Sequence, residues 1–176
     1  MLYVQQSLGP DEELIHVGKF HWMYTVSSFM SIFWGLIFAI MIMIAAFQGY
    51  KLMGKLPSGI GFVDSIKLIH PGVRAFSFLM FVMGLVKFAQ MMVVKATTEI
   101  AITNNRLIYK RGLVARHVGE INIDRIEGVN VLQPILGRIF NYGRVMVRGM
   151  GVGEVLLPPI EDPISFRRAI EEAKSR

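Results

Sequence analysis

Four histidines, His16, His21, His70 and His117, are the first residues to test for metal or acid–base chemistry, and none completes a site. No two stand at a ligand spacing such as i, i+4, and no acidic side chain is placed to finish a familiar set. The run Gly149-Met150-Gly151-Val152-Gly153 is glycine-rich, yet it joins two predicted strands and lacks the lysine and hydroxyl of a phosphate loop. Glu120, Asp124 and Glu127 fall among strands and turns, where carboxylates are ordinarily solvated or ion-paired. Nothing brings nucleophile, base and orienting group together, so no enzyme, resident metal or cofactor is expected. Zero cysteines remove thiol nucleophiles, Cys-zinc sites, disulfides and palmitoylation at once.

Charge recognition is the chemistry that remains. Arg144 and Arg148 share one face of a predicted strand, and Arg106 and Lys110 lie on another. These four are the candidate contacts with anionic lipid headgroups or with an acidic protein partner, the alternative being a plain solvated face. Lys87 and Gln90 form a second candidate set, because they interrupt an otherwise apolar run. A lysine at the bilayer centre costs about 3 kcal/mol on insertion scales. Its Phe, Leu, Met and Val neighbours offset that cost. Lys87 either snorkels toward the interface, about 12 Å away if Lys95 marks it, or serves as a functional intramembrane cation.

The elements that carry these residues begin with two apolar runs, 23–47 and 75–94. Each is long enough as a helix to cross a hydrocarbon core of about 30 Å. A chain of 176 residues that is 53% hydrophobic is too apolar for an ordinary soluble domain. The first run follows Asp11, Glu12 and Glu13 rather than a basic region, so a retained helix is expected instead of a signal peptide. His21, Trp22 and Tyr24 at its edge are the expected interface anchors. Thr25, Ser27, Ser28 and Ser31 can bond their own backbone, and Gly35 with Ala39 permits close approach of the second helix. In the link, Pro57-Ser58-Gly59 and Pro71-Gly72 break any long helix, while Phe62, Val63, Ile66 and Ile69 fall at helical spacing. An interfacial amphipathic turn and a disordered loop are both compatible with that stretch.

Net charge is +6, which beside membrane segments reads as attraction to anionic lipid, and nucleic acid is not the expected partner. A helical hairpin puts both termini on one side. Lys19, Lys95, Arg106, Lys110 and Arg111 on that side slightly outweigh Lys51, Lys55, Lys67 and Arg74 on the loop side. Cytoplasmic termini are expected.

Residues 1–22 read as a lead-in, with a turn at Gly9-Pro10-Asp11 and a strand toward Trp22. Residues 95–176 read as a small α+β domain. Strands over 98–103 and 106–110 flank Asn104-Asn105, a pair suited to positive φ in a two-residue turn. Further strands are predicted over 117–123, 126–132, 143–149 and 154–157, with a helical turn after Pro134. Val145 and Val147 face inward. Asp162-Pro163 opens a final helix with Phe166, Ile170 and Ala173 as its apolar stripe.

The segment Thr103-Asn104-Asn105-Arg106-Leu107-Ile108-Tyr109-Lys110-Arg111-Gly112 resembles the second strand of the bacterial membrane-associated pleckstrin-homology-like family, the bPH2 type. Ile121 to Val131, Leu136-Gly137-Arg138 with Tyr142-Gly143, and Asp162-Pro163 with Phe166-Arg167 are similar to it in order and spacing. So are Pro10-Asp11-Glu12-Glu13 and Lys19-Phe20-His21-Trp22 ahead of paired membrane helices. The resemblance implies a seven-strand, half-open antiparallel barrel plugged by the C-terminal helix, a fold that names no ligand. Eukaryotic relatives bind inositol phosphates through a long basic loop between the first two strands. The resemblance would put that loop at Asn104-Asn105, too short to cradle a headgroup.

The function expected is a membrane-tethered interaction module of the bacterial inner membrane, acting as scaffold or accessory subunit, with self-assembly into a homo-oligomer as one form of it. A small oligomeric channel or transporter subunit, resting on Lys87, Gln90 and the serine-bearing first helix, is the alternative.

Overall fold

Both apolar runs fold as single helices longer than the runs themselves. The structure is a computed structural model that describes residues 2–57, 59–112, 117–151 and 153–175. Ser58 of the predicted link turn, Val152 of the glycine-rich run and the side chain of His117 lie outside the described residues. In chain order the elements are α1 (Leu2–Ser7), β1 (Leu14–Gly18), α2 (Trp22–Leu52), α3 (Phe62–Ser65), α4 (Pro71–Thr97), β2 (Glu99–Thr103), β3 (Arg106–Arg111) and β4 (His117–Asn122). They continue through a 3₁₀ turn (Ile123–Arg125) to β5 (Ile126–Leu132), α5 (Ile135–Ile139), β6 (Tyr142–Gly149), β7 (Gly153–Leu156), β8 (Ile160–Glu161) and α6 (Pro163–Ser175). Two units result: residues 25–92, and residues 1–24 with 93–176.

In the helical unit, α2 and α4 meet along small residues. Ser28, Gly35 and Ala39 on α2 and Ser77 and Gly84 on α4 are buried, while Phe33, Trp34, Phe38, Phe78 and Leu79 point outward. The Ser77 hydroxyl donates to the Ala39 carbonyl at 2.8 Å, and the Ser31 hydroxyl reaches both the Ser28 and Gly84 carbonyls, at 2.7 and 3.2 Å. Serine thus satisfies itself within the hairpin and draws the backbones together. Both helices are long and apolar enough to cross a membrane. α4 starts at Pro71, with His70 before it as cap: Nδ1 accepts the Gly72 amide at 3.0 Å and the carbonyl accepts the Val73 amide. Of the apolar residues of the link, Phe62 and Ile66 are half-buried. Ile69 is buried and Val63 is exposed, and only Phe62–Ser65 is helical.

In the β unit, the lead-in is part of the sheet. β1 pairs antiparallel with β2, with Gly18 opposite Ile100 and Leu14 opposite Thr103. The first sheet runs β1-β2-β3-β4, and the second β5-β6-β7 with β8 on β6. The architecture is therefore two antiparallel sheets with a C-terminal helix, not a single seven-strand barrel. Hydrogen bonding breaks between β4 and β5, where the 3₁₀ turn at Ile123–Arg125 sends the chain from one sheet into the other. One core fills the space between them. Ile100, Ile102, Leu107 and Ile121 come from the first sheet, Val145 and Val147 from the second, and Phe166, Ala169, Ile170 and Ala173 from α6. Alternation along β6 buries Val145 and Val147 and exposes Arg144 and Arg148.

Two local details differ from expectation. Asn104-Asn105 does not take positive φ; instead the Thr103 hydroxyl accepts the Asn105 and Arg106 amides at 3.3 and 3.0 Å and closes the turn. The connection between the first two strands, β1 and β2, is the whole helical hairpin, so Asn104-Asn105 joins the second and third. The shortness of that turn therefore does not bear on headgroup binding by a first loop.

Candidate functional site

Only Lys19-Phe20-His21 separates β1 from α2, and only Thr98 separates α4 from β2. The first of these linkers is built into the β unit. Phe20 bridges to Ile160, and the Lys19 carbonyl accepts the Glu161 amide at 2.9 Å. His21 is 5% exposed and its ring stacks on Tyr142 at 5.1 Å. Its Nδ1 accepts the Met23 amide at 3.2 Å and its carbonyl the Tyr24 amide at 3.0 Å, so His21 caps α2 as His70 caps α4. Trp22, the first residue of α2, is exposed and meets Phe140 edge to face at 5.7 Å. Of the three expected anchors, Trp22 projects outward, whereas His21 is a buried cap.

α5 follows from the sequence around it. Pro134 precedes the first turn, and Gly137 is the inward residue, where a Cβ would stand 2.4 Å from the Tyr142 carbonyl oxygen. Gln133 donates to the Gly137 and Tyr142 carbonyls at 3.5 and 3.4 Å, tying the turn to β6. With glycine inward, Ile135, Leu136, Ile139 and Phe140 are left exposed. Beside them lies an open cavity of about 820 Å³ whose lining includes Leu132, Pro134, Arg138, Arg144, Ile164 and Arg167, and no carboxylate among the described residues.

The four basic candidates do not form one face. Arg106 Nε and Nη2 bind the two oxygens of Glu12 at 2.9 and 2.8 Å, Nη2 also reaches the Ser7 carbonyl at 2.7 Å, and Nη1 reaches Glu120 at 2.7 Å. Burial alone would raise the Glu12 pKa. Hydrogen bonds from Arg106, the Gly9 amide and Thr103, with the Arg106 charge, outweigh it and hold that carboxyl below its ordinary range. Lys110 sits 3.3 Å from Glu99. Arg148 pairs with Glu154 across β6 and β7, its Nε at 3.1 Å. Arg144 alone of the four has no carboxylate partner among the described residues, and it faces the cavity. Lys87 and Gln90 line a separate groove of about 770 Å³ on the helical hairpin, together with Ser31, Trp34 and Gly84.

Leu136, Arg138 and Arg167 stand in the motifs that carry the family resemblance, but neither they nor the other α5 side chains were singled out as functional residues from sequence. The signal that could have found them was Ile135-Leu136 and Ile139-Phe140, two apolar pairs four residues apart flanking a glycine. A helix that short with glycine inward cannot bury both pairs.

Strand order, the C-terminal helix and the paired apolar helices define a small β domain with a hairpin of two long apolar helices between its first two strands. The family profile of the bacterial PH domain matches residues 14–174, taking in both helices and both sheets, and the chain belongs to that family. Comparison with curated proteins and with solved structures gave no match.

Proposed function

We propose that this chain is a membrane-tethered, non-catalytic interaction module, serving as scaffold or accessory subunit of a protein complex in the bacterial inner membrane. The observation that carries this reading is the place of the hairpin. It is inserted between two hydrogen-bonded strands, so the β unit is joined to it by two short linkers rather than one free tail. Such a domain cannot act at a distance from the bilayer. At no more than about 3.6 Å per residue, a three-residue linker and a one-residue linker allow little reach. The hairpin groove with Lys87 and Gln90 is suited to a partner helix bearing a polar or acidic group.

A photo-crosslinking residue at Met83, which lines that groove, tests the reading in native membranes. A discrete protein adduct, either a second copy or one partner, supports it. Adducts to lipid alone would count against it. The same groove favours the rival reading of an oligomeric channel subunit, and Lys87→Leu separates the two: loss of a measured flux supports transport, whereas a changed adduct without any flux supports the scaffold. We place both termini in the cytoplasm. Labelling of Ser175→Cys by an impermeant reagent outside intact cells would reverse that placement.

A further inference from the structure

The ridge on α5 is bare within its own fold. Ile135 is 81% exposed and Ile139 69% exposed, with Leu136 and Phe140 beside them. Rotating the helix cannot hide them, because Gly137 leaves no room for a side chain against Tyr142. Two independent observations identify the cover. First, Trp22 opens the apolar helix, so it stands where that helix leaves water, and the Phe140 ring touches it. The linker before Trp22 has no slack, since Phe20 is bridged to Ile160 and His21 is buried on Tyr142. Second, Arg138 lies on the same short helix, and Arg144 lines the adjoining cavity, whose lining holds no carboxylate among the described residues, while Arg167 there pairs with Glu171 at 2.8 Å. Apolar side chains edged by arginines match a layer of phosphates above acyl chains.

We propose that α5 is a second, non-spanning membrane contact, in which Ile135, Leu136, Ile139 and Phe140 enter the headgroup boundary of the bilayer while Arg138 and Arg144 bind the phosphates of anionic lipids. It rests on the reading that α2 and α4 span that bilayer, and it adds a lipid-binding face to the β unit. The ridge supplies apolar area and the arginines supply charge selectivity, so preference for anionic lipid resides in the arginines alone.

The full chain, which has no native cysteine, is placed in lipid nanodiscs with one fluorophore at Ile139→Cys, and in parallel at Ile135→Cys. Met150→Cys, at the far end of β6 from Tyr142, reports an aqueous position, and Trp34→Cys reports α2 itself. Iodide should quench the α5 labels at least about threefold less than the Met150 label, and a nitroxide lipid with a shallow spin label should quench them more. Equal iodide access at positions 139 and 150 overturns the proposal. If the Trp34 label is then still shielded, the spanning reading stands and only the α5 contact fails. Shielding in native membranes but not in nanodiscs assigns the ridge to a protein and likewise overturns it. Arg138→Gln/Arg144→Gln should reduce shielding in discs containing phosphatidylglycerol and leave it unchanged in phosphatidylcholine. No change in either disc would remove the phosphate-binding half.

Discussion

Glu12 and Arg106 are joined by two parallel hydrogen bonds of 2.9 and 2.8 Å, although 94 positions separate them in the chain. The carboxylate is 4% exposed and the guanidinium 24%, so water competes weakly for either. Arg106 is a hub rather than a surface charge. Its remaining donors hold the Ser7 carbonyl and Glu120, and Glu12 also receives the Thr103 hydroxyl at 2.7 Å and the Gly9 amide at 3.0 Å. The pair thereby fixes residues 4–13 on the outer face of the first sheet, where Val4 covers Ala101 and Ile108.

Arg106→Met should therefore loosen the amino-terminal segment more than it changes any lipid contact. Removing one partner leaves a buried carboxylate uncompensated, at a cost of about 3 kcal/mol after allowance for partial exposure. Limited proteolysis of the full chain should show new cleavage between residues 4 and 13. Arg148→Gln, whose exposed pair with Glu154 lies on the second sheet, should give little. Equal protection of the Arg106 variant and the parent would mean the ion pair is incidental.

The same pair sets an acid response. Glu12 has a folded pKa held below its unfolded value, so its stabilisation is complete above the unfolded value of about 4.3 and is lost as pH falls through the lower folded value. Protection of the amides of residues 4–13 against hydrogen exchange, taken relative to the intrinsic rate at each pH, should fall on acidification into that window, and Glu12→Gln should show the low protection already at neutral pH. A parent whose protection at these amides stays unchanged through that window would show that Glu12 does not hold the segment.

Local signals were readable from residues alone, and non-local ones were not. The apolar runs, the turn after Thr103, the alternation around Val145 and Val147 and the Asp162-Pro163 helix start are each visible in a few consecutive residues. Asp162 does accept the Ser165 amide at 3.2 Å, as a cap should. The partner of β1 is some 85 residues downstream, across the hairpin, and no local pattern announces Gly18 opposite Ile100. The single-barrel expectation fails for a related reason: strand spacing predicts strands but not where hydrogen bonding between neighbours stops. Basic residues are conspicuous in a sequence, whereas the carboxylates that neutralise them are not. Arg106 looked available until Glu12 and Glu120 were brought to it by the fold. His21 and His70 were missed as caps because histidine stands outside the usual cap residues.

Gly84 should be the least tolerant position in the helical hairpin. A Cβ there would lie 2.7 Å from the Ser31 carbonyl oxygen and 3.1 Å from the Gly35 Cα, both backbone atoms that cannot swing aside. Gly84→Leu must push α2 and α4 apart, breaking the Ser31 and Ser77 bonds, with a cost of about 1–3 kcal/mol from overpacking. A methyl group at Gly49 would meet nothing within 4 Å, so Gly49→Ala should be neutral or slightly stabilising. Thermal unfolding of the two variants in one detergent compares them directly. A Gly84→Leu protein that melts with the parent would show that the helices do not pack on this seam.

His21 joins the β strands to the start of α2 by two separable means, a cap and a stacked ring. Nδ1 takes the Met23 amide, one of the donors that the first turn of α2 leaves unpaired, and the ring lies on Tyr142 at an interplanar angle of 24°. His21→Asn keeps a strong capping group and loses the ring; His21→Ala loses both. Replacing a capping side chain by alanine costs about 1 kcal/mol, to which the lost contact with Tyr142 adds. Asparagine should therefore recover part of the loss in unfolding temperature but not the packing against Tyr142. A Trp22 fluorescence shift reports that packing, because Trp22 touches both the His21 ring, at 5.4 Å, and Phe140. If alanine and asparagine destabilise equally, the cap contributes nothing and the stack carries the junction. If asparagine matches the parent in both stability and fluorescence, the stack is dispensable and the histidine is there for its Nδ1.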